Sequence, residues 1–267
     1  MAYAVLERAA DGVDVVTLSA PEKMNAIGEA GLRELNALFD SAEQDPTARV
    51  LVVTGSGRGF CAGMDLTQSS AVESADGPGF AYNALSGSKS QWSRLVPRMR
   101  ELRLPIVAAV NGAALGAGFA ITLGADIRIA SSEASFNSGY QKLGISAAEM
   151  GLSWIMPRLV GLGRATEILL TGRTVRAEEA ERVGLVTAVV SPDELMPTAL
   201  ATASAITRHT PLGVWMTKDS LNMAASSPLA VTIEFELRSQ ILAMPTEDAR
   251  EMRRAVREQR PPSFRGR

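Results

Sequence analysis

Residues 105–125, PIVAAVNGAALGAGFAITLGA, contain no charged side chain and change character halfway along. The first part, up to Val110, is a short apolar run with β-branched residues, which is typical of a buried parallel strand. The second part is rich in glycine and alanine, and glycine lets a backbone bend or approach a neighbour closely. We therefore predict a buried strand, a tight glycine loop and a buried helix, in that order.

The same stretch is long enough to cross a bilayer, which is the competing interpretation. Gly112 and Gly116 even have the GxxxG spacing of paired membrane helices. Against this interpretation, the stretch opens with Pro105, carries Asn111 and four glycines, and changes midway from β-branched residues to a Gly/Ala pattern. We therefore expect no membrane partner.

Strand and helix patterns alternate along the rest of the chain, up to about residue 190. The predicted elements are a hairpin around Asp11 and Gly12, a helix over 28–45, strands over 49–55 and 125–130, and a helix over 92–102. Such alternation predicts an α/β fold with a mostly parallel sheet covered by helices. The Ser-, Gly- and Ala-rich segment 67–87 has the composition of a mobile surface loop.

Only helical patterns follow Pro192. We therefore divide the chain into an α/β core over 1–191 and a helical C-terminal region over 192–267.

Composition narrows the function classes. The 267 residues have a formal net charge of −2, one cysteine and one histidine. This balance gives no reason to expect a nucleic-acid partner, and the single cysteine excludes an internal disulfide. A lone histidine likewise excludes a multi-histidine metal site, so no metal is predicted. The first residues do not have the pattern of a secretory signal, and the expected location is the cytoplasm.

Two glycine-rich loops each follow a predicted buried strand, at 52–66 and 108–126. Neither matches the dinucleotide fingerprint GxGxxG, because its third glycine is replaced by Phe60 in one loop and Ile121 in the other. If a helix begins at Gly116, the first-turn N–H groups are unpaired and lie at the positive end of the helix dipole. With a second N–H from the first loop, they would form an oxyanion hole for a developing carbonyl charge.

Five segments, in this order, resemble the crotonase family, the enoyl-CoA hydratase/isomerase superfamily. They are SAPEKMNAI (19–27), FCAGMDL (60–66), PIVAAVNGAALGAGFAITLGADIRIAS (105–131), FNSGYQKLGI (136–145) and GLVTAVV (184–190). The resemblance implies a spiral of ββα turns, with a helical C-terminal region used for trimerisation. It implies a homotrimer or dimer of trimers. It also implies a coenzyme A thioester as substrate and no permanently bound cofactor.

Carried onto this chain, the resemblance places the two oxyanion-hole N–H groups on Met64 and Ala117. The residues it implies for coenzyme A binding are Lys23, Met24, Ala26, Ala62 and Asp65. Two of them also have a plain structural interpretation. An exposed lysine is usually only solvated, and an aspartate such as Asp65 frequently bonds the backbone of its own turn.

This chain differs from the family at the positions of the catalytic acid and base. Where hydratases of the family carry two glutamates, this chain has Ala120 and Tyr140. A replacement is Glu149, which resembles the catalytic aspartate that stands two residues before a glycine in dienoyl-CoA isomerases. A carboxyl group whose pKa is raised by an apolar pocket can move a proton from one carbon of an acyl-CoA to another. The alternative is a glutamate that only stabilises a helix N-terminus.

Two functions therefore stay open. One is an acyl-CoA enzyme of the hydratase/isomerase type, working through Glu149 with help from Tyr140 and an enolate held by Met64 and Ala117. The other is a catalytically silent acyl-CoA binder, for which the missing glutamates argue. Cys61 and His209 lack the partner spacing of a nucleophile and its base, so both are interpreted as structural.

Overall fold

A computed structural model of the protein describes residues 2–67 and 88–266. The loop predicted over 67–87 lies outside the described residues, apart from Thr67. The strands are β1 (Ala4–Ala10), β2 (Val13–Leu18), β3 (Val50–Gly55), β4 (Gly59–Cys61), β5 (Ile106–Val110), β6 (Ala113–Leu115), β7 (Ile127–Ser131), β8 (Ser135–Asn137), β9 (Val175–Arg176) and β10 (Ala188–Val190).

The helices alternate with these strands and then continue alone. They are α1 (Glu29–Gln44), α2 (Ser88–Glu101), α3 (Ala117–Gly124), α4 (Leu152–Val160), α5 (Leu162–Thr171), α6 (Ala177–Arg182), α7 (Pro192–Thr207), α8 (Pro211–Ala224), α9 (Leu229–Ala243) and α10 (Glu247–Glu258). Single 3-10 turns lie at Pro21–Lys23 and Tyr140–Leu143.

The larger sheet has six strands in the order β1-β2-β3-β5-β7-β10. Strands β1 and β2 form the predicted antiparallel hairpin, and every other neighbouring pair is parallel. The central strands β3 and β5 are apolar along their length because helices cover the sheet on both faces. The mostly parallel sheet predicted from the pattern is confirmed.

A second sheet has the order β4-β6-β8-β9. Strands β4, β6 and β8 are three residues each and run parallel. From β3 to α4, each turn of the chain places one strand in the large sheet, the next in the small sheet and then a helix, whereas β1 and β2 of the first turn both lie in the large sheet. The fold is the spiral of ββα turns that the resemblance implied. The short strands were not predicted individually, because three residues are too few to show a periodic pattern.

The apolar core lies between the sheets and their helices. Leu35 and Phe39 of α1 and Leu95 and Met99 of α2 are fully buried there. Helix α3 is buried on all sides, which explains why its sequence is apolar apart from Thr122, whose hydroxyl donates to the carbonyl oxygen of Phe119 within the helix. It has eight residues, and in the described part of the chain no helix is long and apolar enough to cross a membrane.

Helix α7 begins where the sequence indicated the start of the helical region. Ser191 and Glu194 form a reciprocal capping box, and Pro192 occupies the first helical position. Its apolar side, with Leu195 and Ala199, packs on the outer face of the large sheet. Helix α7 is therefore part of the sheet's packing as well as the first of four consecutive helices.

A buried cation, Lys218, contributes to the attachment of helix α8 to the core. The Nζ of Lys218 donates to the carbonyl oxygens of Met99 at 3.2 Å and Leu104 at 2.9 Å. It also lies 2.9 Å from Oδ2 of Asp126. A buried ammonium needs such partners to offset its loss of hydration. A cavity of about 1200 Å³ lies beside this contact, between helices α8 and α9 and the core.

Candidate active site

The glycines of residues 111–120 have two different physical roles. A Cβ on Gly112 would lie 2.1 Å from the carbonyl oxygen of Arg58, and a Cβ on Gly118 would lie 2.1 Å from that of Cys61. These two glycines let β6 and α3 pack directly on β4. Gly116 is different, since the nearest atom to its Cβ position is 3.6 Å away, but its φ of 51° and ψ of −119° suit only glycine.

Gly116 turns the chain into helix α3 at the place where the loop after β4 approaches. A Cβ on Gly63 would lie 2.8 Å from the carbonyl oxygen of Leu115 and 3.3 Å from the amide nitrogen of Ala117. The loop and the helix start therefore touch through their backbones. The two residues predicted to supply N–H groups, Met64 and Ala117, belong to these neighbouring segments.

The hydrogen bonds around Met64 leave its own N–H unused. Ile27 donates to the carbonyl oxygen of Gly63 at 2.7 Å and accepts from the N–H of Asp65 at 2.8 Å, as in a parallel bridge. In this pattern the intervening Met64 directs its N–H away from Ile27. Ala117 is the first residue of α3, so its N–H has no acceptor within the helix. Within residues 2–67 and 88–266, neither N–H has a hydrogen-bond acceptor.

The residues implied for coenzyme A binding come from two segments that lie side by side. Met24 accepts from the N–H of Ala62 at 2.8 Å, and the side chains of Lys23 and Asp65 form an ion pair at 3.0 Å. Asp65 also accepts from the N–H of Thr67 at 3.0 Å and from its hydroxyl at 2.6 Å. These bonds, first from Thr67 and then from Lys23, lower the pKa of the Asp65 carboxyl. Asp65 thus braces its own loop, as the structural interpretation anticipated.

The structural role of one residue in this region, Asn25, was not predicted from the sequence. Asn25 is fully buried with a positive φ of 56°, a conformation that asparagine tolerates better than most residues. Its Nδ2 donates to the carbonyl oxygens of Ser56 and Gly59 at 2.9 Å each. Its Oδ1 accepts from the N–H of Ala20 at 2.9 Å. Asn25 therefore ties the 3-10 turn to β4, through partners too distant in sequence to leave a local signal.

Tyr140 lies on the other side of Gly116. The Cζ of its ring is 4.0 Å from the position a Gly116 Cβ would occupy, and its side chain is buried. The hydroxyl donates to the sulfur of Met150 at 3.9 Å. Burial raises the pKa of Tyr140 above its ordinary value, and the negative charge of Glu149 raises it further. Tyr140 thus contacts the helix start on one side and the segment of Glu149 on the other.

Glu149 precedes helix α4 and stands outside it. The helix begins at Leu152, whose N–H donates to the Glu149 carbonyl oxygen at 3.0 Å. Between them, Met150 and Gly151 have positive φ angles of 50° and 88°. Glu149 is half-buried, whereas Ala120 is fully buried in α3. Glu149, whose side chain is half-buried, is thus followed directly by a left-handed turn at Met150 and Gly151. The sequence pattern did not predict this turn.

Cys61 and His209 lie in separate parts of the structure. Cys61 is buried in β4, where its thiol donates to the carbonyl oxygen of Asn25 at 3.1 Å. Burial raises the pKa of this thiol to about 12. His209 lies between α7 and α8, and its carbonyl oxygen accepts from Arg49 at 2.6 Å. In the described residues no group of three or more His, Cys, Asp or Glu side chains has the arrangement of a metal site.

Known proteins resemble this chain in both sequence and fold. The family model for enoyl-CoA hydratase/isomerase matches residues 8–267. A 1,2-epoxyphenylacetyl-CoA isomerase of Escherichia coli is 33% identical over 262 residues, covering 98% of both chains. A probable enoyl-CoA hydratase of Mycobacterium leprae is 38% identical over 209 residues, which cover 78% of this chain and 71% of the relative.

Solved structures agree with the sequence comparisons. A crystal structure of an enoyl-CoA hydratase from Bacillus anthracis superposes with a TM-score of 0.91 at 28% identity, covering 99% of this chain and all of the other. The ββα spiral described above is thus also the fold of that enzyme. Since the family model spans nearly the whole chain and full-length relatives exceed 30% identity, this protein belongs to the enoyl-CoA hydratase/isomerase family, within the crotonase superfamily.

Proposed function

We propose that this protein is an acyl-CoA isomerase that moves a carbon–carbon double bond with one carboxylate, Glu149. The N–H groups of Met64 and Ala117 bind the thioester oxygen. One observation carries the proposal: the loop after β4 contacts the start of α3 through Gly63, and both N–H groups lack an acceptor in the described residues. Two such donors stabilise the negative charge that develops on a carbonyl oxygen.

The reaction consists of two proton transfers. The Glu149 carboxylate removes a proton from the carbon next to the thioester carbonyl of a 3-enoyl-CoA. The electron pair of that C–H bond moves toward the carbonyl oxygen, giving a dienolate held by Met64 and Ala117. The protonated Glu149 then returns the proton to the fourth carbon, and the double bond comes to lie between the second and third carbons. No water and no second reactant are consumed.

The surroundings of Glu149 favour isomerisation over hydration. Hydration needs one group to orient a water molecule and another to deliver a proton. Ala120 can neither orient water nor deliver a proton. The hydroxyl of Tyr140 donates a hydrogen bond to the sulfur of Met150, and burial makes this hydroxyl less acidic. A single carboxylate is sufficient when the proton removed is the proton returned. The relatives include proteins named as isomerases and proteins named as hydratases, so the choice rests on the missing second carboxylate.

The coenzyme A part of the substrate is proposed to lie along the two adjoining segments that contain Lys23, Met24, Ala26, Ala62 and Asp65. Lys23 is 45% exposed and therefore accessible to a phosphate while it remains paired with Asp65. The ion pair holds the lysine beside the loop that carries Met64. No permanently bound cofactor is required, because the thioester itself supplies the group that stabilises the enolate.

A homotrimer or dimer of trimers in the cytoplasm remains part of the proposal. Large apolar side chains on α9 are between 47% and 74% exposed, namely Leu229, Val231, Ile233, Leu237 and Ile241. Protein–protein contact is one of the functions that a contiguous exposed apolar surface serves in soluble proteins. A Leu237→Arg variant measured by light scattering would then have a smaller mass than the parent protein.

A silent acyl-CoA binder is the second candidate. It is favoured by the alanine at position 120, which removes one family carboxylate without a substitute in α3. Such a protein would bind the thioester through the same N–H groups and leave it unchanged.

The test is a panel of 2-enoyl-, 3-enoyl- and 2,4-dienoyl-CoA substrates with the parent protein and Glu149→Gln. The matched control is Glu7→Gln, an exposed glutamate on β1. We expect turnover of at least one substrate, a loss of about 10²-fold or more in Glu149→Gln, and no change in the control. Tight thioester binding without turnover would instead assign the protein to the silent binders.

A further inference from the structure

The turn that carries Glu149 is held in an unfavourable backbone conformation. Met150 is not a glycine but has a φ of 50°, and Gly151 follows with 88°. A left-handed conformation is disfavoured in residues with a Cβ, and it persists where the surroundings hold it. The Leu152 N–H closes the turn on the Glu149 carbonyl oxygen, but this bond fixes only the backbone.

The side chain of Met150 supplies a second attachment. It is 5% exposed, and its sulfur accepts the hydroxyl proton of Tyr140 at 3.9 Å. A thioether is a weak acceptor but a flexible and polarisable side chain, so it can follow the ring of Tyr140 closely. The carboxylate of Glu149 is therefore one residue away from an anchored side chain.

Tyr140 is itself fixed to the backbone around Gly116. The N–H of Gly139 donates to the side-chain oxygen of Asn137 at 2.6 Å, and the carbonyl oxygen of Asn137 accepts from Gly116 at 3.0 Å. The ring of Tyr140 then passes beside Gly116 toward Met150. A continuous series of contacts thus connects the start of α3 with the turn of Glu149.

We infer that Tyr140 and Met150 form a pair of positioning residues that sets the distance between the Glu149 carboxylate and the thioester held at Ala117. In this arrangement Tyr140 does not exchange a proton with the substrate, because its hydroxyl is directed at the sulfur. The inference rests on the proposed function, since it assigns a role to neighbours of the proposed base.

The experiment is a double-mutant cycle in the full-length protein with Tyr140→Phe, Met150→Leu and the combination. Phenylalanine keeps the ring and removes the donor, and leucine keeps the volume and removes the acceptor. We expect each single change to lower kcat about tenfold with KM changed less than about twofold. The double variant should be no slower than the slower single variant, because either change breaks the same contact.

Thermal midpoints and the pH profile of kcat/KM separate positioning from simple packing. Positioning predicts a lower kcat/KM across the pH profile without a matching loss of thermal midpoint, with binding of a saturated acyl-CoA retained in all three variants. Additive losses, an unchanged kcat, or a rise in KM that follows the thermal midpoint would each overturn the inference. A loss beyond about 10³-fold in Tyr140→Phe alone would do so too, since it would make Tyr140 a proton donor.

The parent protein and Glu149→Gln are measured in the same series. If the parent turns over, Glu149→Gln does not and the cycle shows no coupling, only the positioning pair is refuted. If the parent has no turnover on any substrate of the panel, the proposed function fails and the positioning inference fails with it.

Discussion

Replacing Asn25 by alanine should weaken the site by releasing the segment that supports Met64. The side chain bonds the carbonyl oxygens of Ser56, Gly59 and Phe60 and the N–H of Ala20, and of these Gly59 keeps a second donor, Asn111 at 3.2 Å. Each buried polar group left without a partner costs about 1–3 kcal/mol. Alanine also tolerates the positive φ less well than asparagine. The free energy of unfolding should therefore fall by about 3–5 kcal/mol.

The assay is urea unfolding at one protein concentration, followed by circular dichroism. The matched control is Asn36→Ala on the side of α1, where a half-buried asparagine makes one bond to Leu32 within its own helix at 2.9 Å. Since alanine is a strong helix former, the control should change stability by less than about 1 kcal/mol. A loss in Asn25→Ala as small as that of the control would refute the reasoning.

Four further predictions follow from single contacts. Gly118→Ala should fold poorly, because its Cβ would lie 2.1 Å from a backbone oxygen, whereas Gly116→Ala should fold with a lowered thermal midpoint, because only its φ of 51° is strained, and should lose more thioester turnover than that midpoint suggests. Cys61 should react with a thiol reagent at pH 8 only after unfolding, as burial raises its pKa to about 12; rapid modification of the native protein would contradict this. The pKa of Asp65 is lowered in the folded protein, so its carboxylate stabilises the fold at pH values above its ordinary pKa of 3.8. This contribution is lost as the pH falls through the lower pKa of the folded state. Stability measured against pH in Asp65→Asn should therefore fall less on acidification. Lys218→Met should leave Asp126 without its cation and lower the thermal midpoint, and an unchanged midpoint would argue against the attachment of α8.

The long elements of the fold were predictable from sequence because their patterns are local. The hairpin, α1, the buried strands β3, β5 and β7, and the helix that follows the glycine loop all appear where periodicity and turn residues placed them. The three-residue strands of the second sheet were not predictable, since their pairing is set by the spiral fold and not by their own residues. The division of the chain at 191 and 192 stays a prediction.

The site was predictable in part for the same reason. The glycine loops mark close backbone approach, and the sequence indicated both of them. The partners of Asn25 lie up to 35 residues away, so its role became visible only in the folded chain. The left-handed turn at Met150 has no sequence signal either, because methionine rarely adopts that conformation. The roles of Met64, Ala117 and Glu149 stay predictions.

The most direct test of the central claim is the mass of the product formed from 3-enoyl-CoA by the parent protein, measured by mass spectrometry after chromatographic separation. Isomerisation through Glu149 predicts a product that elutes as 2-enoyl-CoA with the same mass as the substrate. An unchanged 3-enoyl-CoA, together with a product heavier by one water molecule from 2-enoyl-CoA, would show that the protein is a hydratase and would contradict the single-carboxylate account.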